Sequence, residues 1–396
     1  MLYRYAATNF QSFLERVEVD LTVNRRAPDT DWLVTAPTGD RRIAKVMCCI
    51  GANGAGKTAL LKPLAFMAWF IADSFQHPVN ASIPIHPHFS QENVPVELEC
   101  EADYGGQLWR YVLRCTPERV LHEALYCKHE RWRYVFVRDW NAGKNMYDFR
   151  QQDFGLDHAK AVETRPNISV ISLAAQYGVP LALRLASTKT FSNIGVLGRV
   201  DDGFASVLDA AKRFAGNERL RLEMQRLLCR WDFGLSGVEI RESEITRVEQ
   251  PDVPKKVWMP FGHHQSHGKT YELPLVMESS GTKSAFSMLS FLLPVLADGG
   301  LAVMDEFESD LHPRMLEAIL GLFASTRTNP HNAQLIFSSH ALEVLNILDK
   351  RQFMLVEKDD NCDSSAIRLD DIKDSRADVS LYAKYMAGAF GAVPNL

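Results

Sequence analysis

The sequence predicts an α/β fold: a mostly parallel sheet joined by an antiparallel β subdomain and a short helical arm. Three observations point there. The glycine-rich segment 51–58 lies between an apolar strand pattern and an apolar helical pattern. From residue 281 onward, strand and helix patterns alternate. Between residues 96 and 137 short alternating runs follow one another without helical spacing.

The chain opens with strand patterns at 3–8, 14–21 and 43–50, and the last leads into 51–58. An apolar helix follows to about residue 74, with Pro63 inside it predicting a kink or a local break. Residues 76–95, rich in Pro, His, Asn and Ser, read as a surface loop. Runs at 96–103, 108–115 and 133–137 read as an antiparallel set. Near the last, Lys128, Arg131, Trp132, Arg133 and Tyr134 interleave charge with aromatic rings. That composition suits either nucleic acid or a half-exposed sheet face.

Residues 181–231 have helical spacing, clearest at 212–230, and predict an arm without the heptads of a long coiled coil. A polar loop is expected at 250–270. Beyond it come helix 281–297, strand 301–304, helix 313–325, strand 334–338, a short helix 341–348 and strand 353–357. Strand–helix–strand order of this kind builds a parallel sheet. The expected organisation is an N-terminal lobe at 1–180, the helical arm with a return strand at 181–250, and a C-terminal lobe at 251–396.

Composition narrows the class. Of 396 residues, 46% are hydrophobic and 23% charged, enough for a sizeable core, and the net charge of −5 gives no overall basic surface. The seven cysteines are scattered, with no Cys-x-x-Cys pair, which argues against both a disulfide framework and a zinc ribbon and reads as buried thiols in a reducing cytosol. The longest apolar stretch, 64–72, is too short to span a bilayer and reads as a core helix, and the first residues carry no signal-peptide pattern. A cytoplasmic protein with no membrane partner is expected.

The segment Gly51-Ala-Asn-Gly-Ala-Gly-Lys-Thr58 fits G-x-x-x-x-G-K-[ST] in the strand–helix context that motif requires. Backbone N–H groups from Asn53, Gly54, Ala55 and Gly56 can wrap phosphates, Lys57 can reach the β- and γ-phosphates, and the Thr58 hydroxyl can take a magnesium position. The apolar run 301–304 ends in Asp305 and Glu306, placed to hold magnesium through water and to polarise the attacking water. Glu278-Ser279-Ser280-Gly281-Thr282-Lys283 opens a helix and offers hydroxyls and free N–H groups to an anion. His340 follows a strand where a γ-phosphate sensor would sit. Taken alone, the acidic pair is as easily a helix cap, and a Ser-rich cap or a lone histidine is usually structural.

In this order the four elements resemble the head domains of ABC-type P-loop ATPases, including the SMC, RecF and OLD-like groups. The resemblance implies ATP and Mg2+ as ligands, with Ser279 and Gly281 in the signature motif, His340 as the switch histidine, and Ser309 and Asp310 in the D-loop. A second copy would complete the ATP site. Asn9-Phe-Gln-Ser-Phe13, Asp310-Leu-His-Pro313, 334–340, 356–358 and the ending 388–394 narrow the resemblance to AAA-annotated ATPases of abortive infection and phage defence, relatives of PARIS- and RloC-type systems. Asp310 stands where many relatives have Ser. No Q-loop glutamine is obvious; Gln176 is the candidate.

That resemblance implies an ATP-driven switch in antiviral defence coupled to a protein effector, a nuclease or toxin encoded nearby. The alternative is a DNA-processing ATPase of the RecF or SMC type, and a transporter subunit is a third class. The acidic run Asp359, Asp360, Asp363, Asp370, Asp371 and Asp374 reads as a solvated turn or a metal site. His86 and His88, and His263, His264 and His267, read as loop residues rather than ligands.

Overall fold

Strand Val46–Ile50 is buried along its whole length, and the fold is arranged around it. In a computed structural model of the chain, which describes residues 1–24, 27–200, 203–231, 233–247, 250–372 and 380–392, this strand occupies the middle of a six-stranded sheet. The order is Thr190–Ser192, Leu301–Met304, Gln334–Ser338, Val46–Ile50, Phe353–Lys358 and Ser364–Arg368. The first five run parallel and the last antiparallel. Parallel strands with both faces covered read as continuous apolar runs, as Leu301–Met304 and Gln334–Ser338 do.

Alternate residues of these strands supply two cores. Met47, Cys49, Val303, Ile336 and Met354 face the core that holds the helix after the glycine-rich segment. Val46, Cys48, Ile50, Ala302, Leu335 and Phe337 face the other core, built with helices Phe204–Ala215, Glu218–Arg230, Ser280–Asp298 and Pro313–Ala324. A second, seven-stranded antiparallel sheet covers the first core, in the order Met146–Gln151, Trp132–Asn141, Val120–Lys128, Gln107–Cys115, Val96–Tyr104, Leu2–Thr8 and Val17–Asp20. The Gln334 side chain bonds the sheets together: its Oε1 accepts from Leu2 N at 2.6 Å while its Nε2 donates to Leu2 O and Ala44 O.

Several expectations need correction. The predicted strand 43–50 is two: Arg42–Ala44 belongs to a small antiparallel sheet with Thr22–Val23 and Leu33–Thr35, and only Val46–Ile50 enters the central one. Helix Lys57–Asp73 runs unbroken through Pro63, because a missing N–H costs one intrahelical bond and the flanking apolar face is packed. Strands Val120–Lys128 and Met146–Gln151 escaped the sequence reading.

Residues 181–231 are not one arm. Helix Pro180–Ala186 gives way to strand Thr190–Ser192 at the edge of the central sheet and to a hairpin of Ile194–Gly195 with Gly198–Arg199. Helices Phe204–Ala215 and Glu218–Arg230 then bury Val207, Phe214, Met224 and Leu228 in the second core. The expected loop 250–270 is instead strand Gln250–Ser266, paired on both sides within a three-stranded sheet. Its turn uses His267 (φ 49°) and Gly268 (φ 75°), the two left-handed positions of a type I′ hairpin, with His where Asn is usual.

With its one-turn extension to Gln76, the helix from Lys57 passes as a membrane span by length and hydropathy alone. Half of that window is buried, with Leu60, Leu61 and Phe70 inaccessible to solvent. All seven cysteines are free; Cys362 is exposed, and burial pushes the Cys49 thiol up to about 12.

Candidate functional site

The glycine-rich segment leaves the C-terminal end of Val46–Ile50 and turns into helix Lys57–Asp73. Gly56 caps that helix at φ 110°, and a Cβ there would lie 2.5 Å from Ser364 Oγ and 2.8 Å from Ser12 Oγ, so the position admits only glycine. Lys57 is buried, and its Nζ donates to Gly51 O at 2.9 Å and Ala52 O at 3.0 Å, with His340 Nδ1 at 3.5 Å. Burial pulls the Lys57 pKa down, opposed by the charges of Asp305, Glu308 and Glu306.

Leu301–Met304 and Gln334–Ser338 end beside this loop, and their last side chains interlock. Thr58 Oγ1 donates to Asp305 Oδ2 at 2.7 Å, and Ser338 Oγ donates to Asp305 Oδ1 at 2.5 Å while accepting from Glu306 N at 2.8 Å. Glu306 holds a left-handed backbone at φ 47° and carries its exposed carboxylate to Arg199. Glu308 Oε1 accepts from His340 N at 2.5 Å. Asn53, Gly54, Gly56, Lys57, Thr58, Asp305, Glu306, Ser309 and His340 line one cleft of about 870 Å³.

Ser279 and Gly281 are not among that lining. Ser279 is the N-cap of helix Ser280–Asp298, accepting from Thr282 N at 3.2 Å. Gly281 packs against Asp310 of its own chain: a Cβ there would sit 2.8 Å from Asp310 O. Ser284 Oγ, one turn on, donates to Ser309 O at 3.0 Å.

Gln176 ends helix Val170–Gln176, is exposed, and does not line the cleft. Beside the acidic pair stands Asn193 instead, directly after strand Thr190–Ser192. Its Nδ2 donates to Asp305 O at 2.9 Å and its Oδ1 accepts from Asp305 N at 2.7 Å. Arg199 also faces the cleft, with Nη1 2.9 Å from Glu306 Oε2 and 2.6 Å from Ser309 Oγ. Both lie in the segment whose spacing reads as helix, so no sequence signal singled them out.

Several of the remaining candidates have structural partners. His88 is fully buried between Ser90 Oγ (2.7 Å) and Asp363 Oδ1 (3.1 Å), whereas His86 is exposed. Asp359 accepts from Asn361 N and Asp363 N within its own turn, and Asp370 pairs with Lys350 at 2.9 Å. Asp374 and residues 393–396 lie outside the described residues. His264 sits between Gly234 O and Glu278 Oε1. His263 lies with Glu239 and Glu272 in a group that Arg241 also joins. The interleaved stretch at 128–134 lies on the antiparallel sheet: Trp132 is flanked by Arg110 at 4.4 Å and Lys128 at 5.7 Å, and Arg110 pairs with Glu99 and Glu101.

Comparison with known proteins adds to this geometry. The profile of the family described as "AAA domain, putative AbiEii toxin, Type IV TA system" matches residues 46–346. No curated protein matches the chain in sequence. Similar solved structures include the SMC head domain from Thermotoga maritima, at 14% identity over 93% of this chain and 98% of that one, TM-score 0.42. The SmcHead bound to the C-winged helix domain of ScpA is 12% identical over 92% and 96%, TM-score 0.47. The Smc head domain with an extended coiled coil bound to the C-terminal domain of ScpA, derived from Pyrococcus furiosus, is 10% identical over 93% and 96%, TM-score 0.43.

Proposed function

We propose, on the premise that this chain belongs to the AbiEii-type AAA family and is therefore an Abi-type ATPase of the AAA/ABC class, that it hydrolyses ATP between two copies of itself as a switch in antiviral defence. The single observation that carries the ATPase reading is the hydrogen-bonded run from Thr58 through Asp305 and Ser338 to Glu306 N. It sets the phosphate loop and the acidic pair against each other in one cleft.

Backbone N–H groups of 53–56 and Lys57 bind the phosphates, and the helix N-terminus behind them adds partial positive charge. The Thr58 hydroxyl and Asp305 carboxylate are hard oxygen donors 2.7 Å apart that would hold magnesium, which would offset the charge of the phosphates. Glu306 accepts a hydrogen bond from the attacking water and orients it toward the terminal phosphate. His340, beside Lys57, contacts that phosphate as well.

Ser279 and Gly281 of a second copy cap the nucleotide, in keeping with their place outside the cleft of their own chain. In this reading 1–180 carries the phosphate loop and 251–396 the signature, acidic pair and switch histidine. Asp310 and Ser309 transmit closure between them. The output is conformational: closure changes a surface on which a protein effector, a nuclease or toxin, sits in the cytosol. Such a switch requires the effector to bind the two states with different affinity.

DNA as the partner is the second class, and a DNA-stimulated turnover would favour it; on the antiparallel sheet Arg110 is already paired with Glu99 and Glu101. The test of the main reading is nucleotide binding and phosphate release by the purified chain and by Lys57→Ala. Undiminished binding by that variant would remove the proposed site.

A further inference from the structure

Segment 193–200 is tied across the cleft at three points. Asn193 clasps the Asp305 backbone. Lys62, one turn beyond Thr58 on the same helix face, donates from Nζ to Val196 O at 3.1 Å. Arg199 reaches Glu306 and Ser309. Between these ties the hairpin tip stands in solvent, with Leu197 100% and Val196 56% exposed. Little buried surface resists a shift of the tip.

Resting on the ATPase reading above, we propose that Arg199 is a phosphate-responsive mask for Glu306. Its guanidinium holds the carboxylate at 2.9 Å, and it moves to the terminal phosphate when a nucleoside triphosphate enters.

Three features carry this. The carboxylate that must accept from water is engaged by a cation at 2.9 Å, which occupies the oxygen Oε2 that the water would use. The pair lies at the rim, with 22% and 46% of the two side chains exposed, so it is screened and readily exchanged. The phosphate carries more charge than the carboxylate, and the planar guanidinium fork matches its oxygens. Lys57, His340 and Arg199 line the same cleft, so a terminal phosphate held by the first two comes within the third's reach. A diphosphate lacks the group that competes, and leaves Glu306 masked. Arg199 is then both a ligand for the terminal phosphate and the reason that water is not polarised without it.

The test is calorimetric titration of the full chain with magnesium and either ADP or a non-hydrolysable ATP analogue. Arg199→Ala is expected to reduce the preference for the triphosphate about tenfold, the loss of one charge-assisted contact, and Arg199→Lys to restore part of it. Glu306→Gln should tighten triphosphate binding, and the gain should be larger with Arg199 present than in the Arg199→Ala background. An unchanged preference in Arg199→Ala, or zero coupling in that double-mutant cycle, overturns the exchange. Lys57→Ala separates the two levels. If it binds both nucleotides as the parent does, the nucleotide site itself is wrong and the mask falls with it. If Lys57→Ala loses binding while Arg199→Ala keeps the preference, the mask alone is wrong.

Discussion

The Thr58 hydroxyl donates to the Asp305 carboxylate at 2.7 Å, joining positions 247 residues apart. Ser338 extends the connection by holding the other Asp305 oxygen and the Glu306 amide. The ends of two adjacent strands and the start of helix Lys57–Asp73 are thereby joined by two hydroxyls and one carboxylate, and the left-handed Glu306 is held at its amide by Ser338.

Ser338→Ala should accordingly misplace both acids. The fully buried hydroxyl makes two bonds, so we expect a loss of about 1–3 kcal/mol in unfolding free energy. Turnover should fall about tenfold with little change in nucleotide affinity. Chemical denaturation and steady-state kinetics check both, and wild-type turnover would show that Ser338 does not position the acids.

Lys57→Ala removes the cation nearest the phosphates and should weaken ATP binding by about a hundredfold or more. Glu306→Gln keeps size and shape but withdraws the carboxylate, so it should still bind ATP while kcat drops by about 10²–10³. Equilibrium binding and single-turnover assays distinguish the two. Near-normal turnover by Glu306→Gln would mean that another group orients the water.

Asn193→Ala removes both partners from the Asp305 backbone. The expected outcome is a fall in kcat of about tenfold, with KM changed much less, since the acids move but the phosphate loop does not. A shift confined to KM would count against this role.

Ser279→Arg should bind ATP in its own cleft yet fail to turn it over, because the obstructed surface belongs to the site of another copy. Mixing it with Lys57→Ala should restore part of the activity, as one composite site in the mixed pair is intact. Heterodimers that form but show no recovery would refute the two-copy site.

Incubation of the chain with magnesium or manganese and DNA or RNA should give no cleavage, since Asp359, Asp363 and Asp370 already hold a turn, His88 and Lys350. Cleavage that survives Lys57→Ala and disappears on replacing Asp359, Asp360 and Asp363 would make the acidic run a nuclease site and replace the effector reading.

What could be read in advance followed from local chemistry. Gly51–Thr58 announces itself because phosphate wrapping needs glycines at fixed spacing, and 301–304 and 334–338 because strands buried on both faces need unbroken apolar runs. Segment 181–231 misled because strand Thr190–Ser192 is three residues long, too short for a period, and lies between helices that set the apparent spacing. Asn193 and Arg199 were lost with it, since their roles depend on the sheet edge beside Leu301–Met304. The Gln250–Ser266 strand was hidden by its Pro and His residues and by a His-Gly turn.

Gly281 leaves no room for a methyl group against Asp310, and Ser284 is bonded to Ser309 one turn later. Helix Ser280–Asp298 and the segment just beyond Glu306 therefore cannot slide independently. In a closed pair, each copy would lend that helix start to its neighbour's nucleotide while keeping its far side against its own acidic pair. The two nucleotides would then be mechanically in series, like links of one chain under tension, and turnover plotted against ATP should bend upward before it saturates.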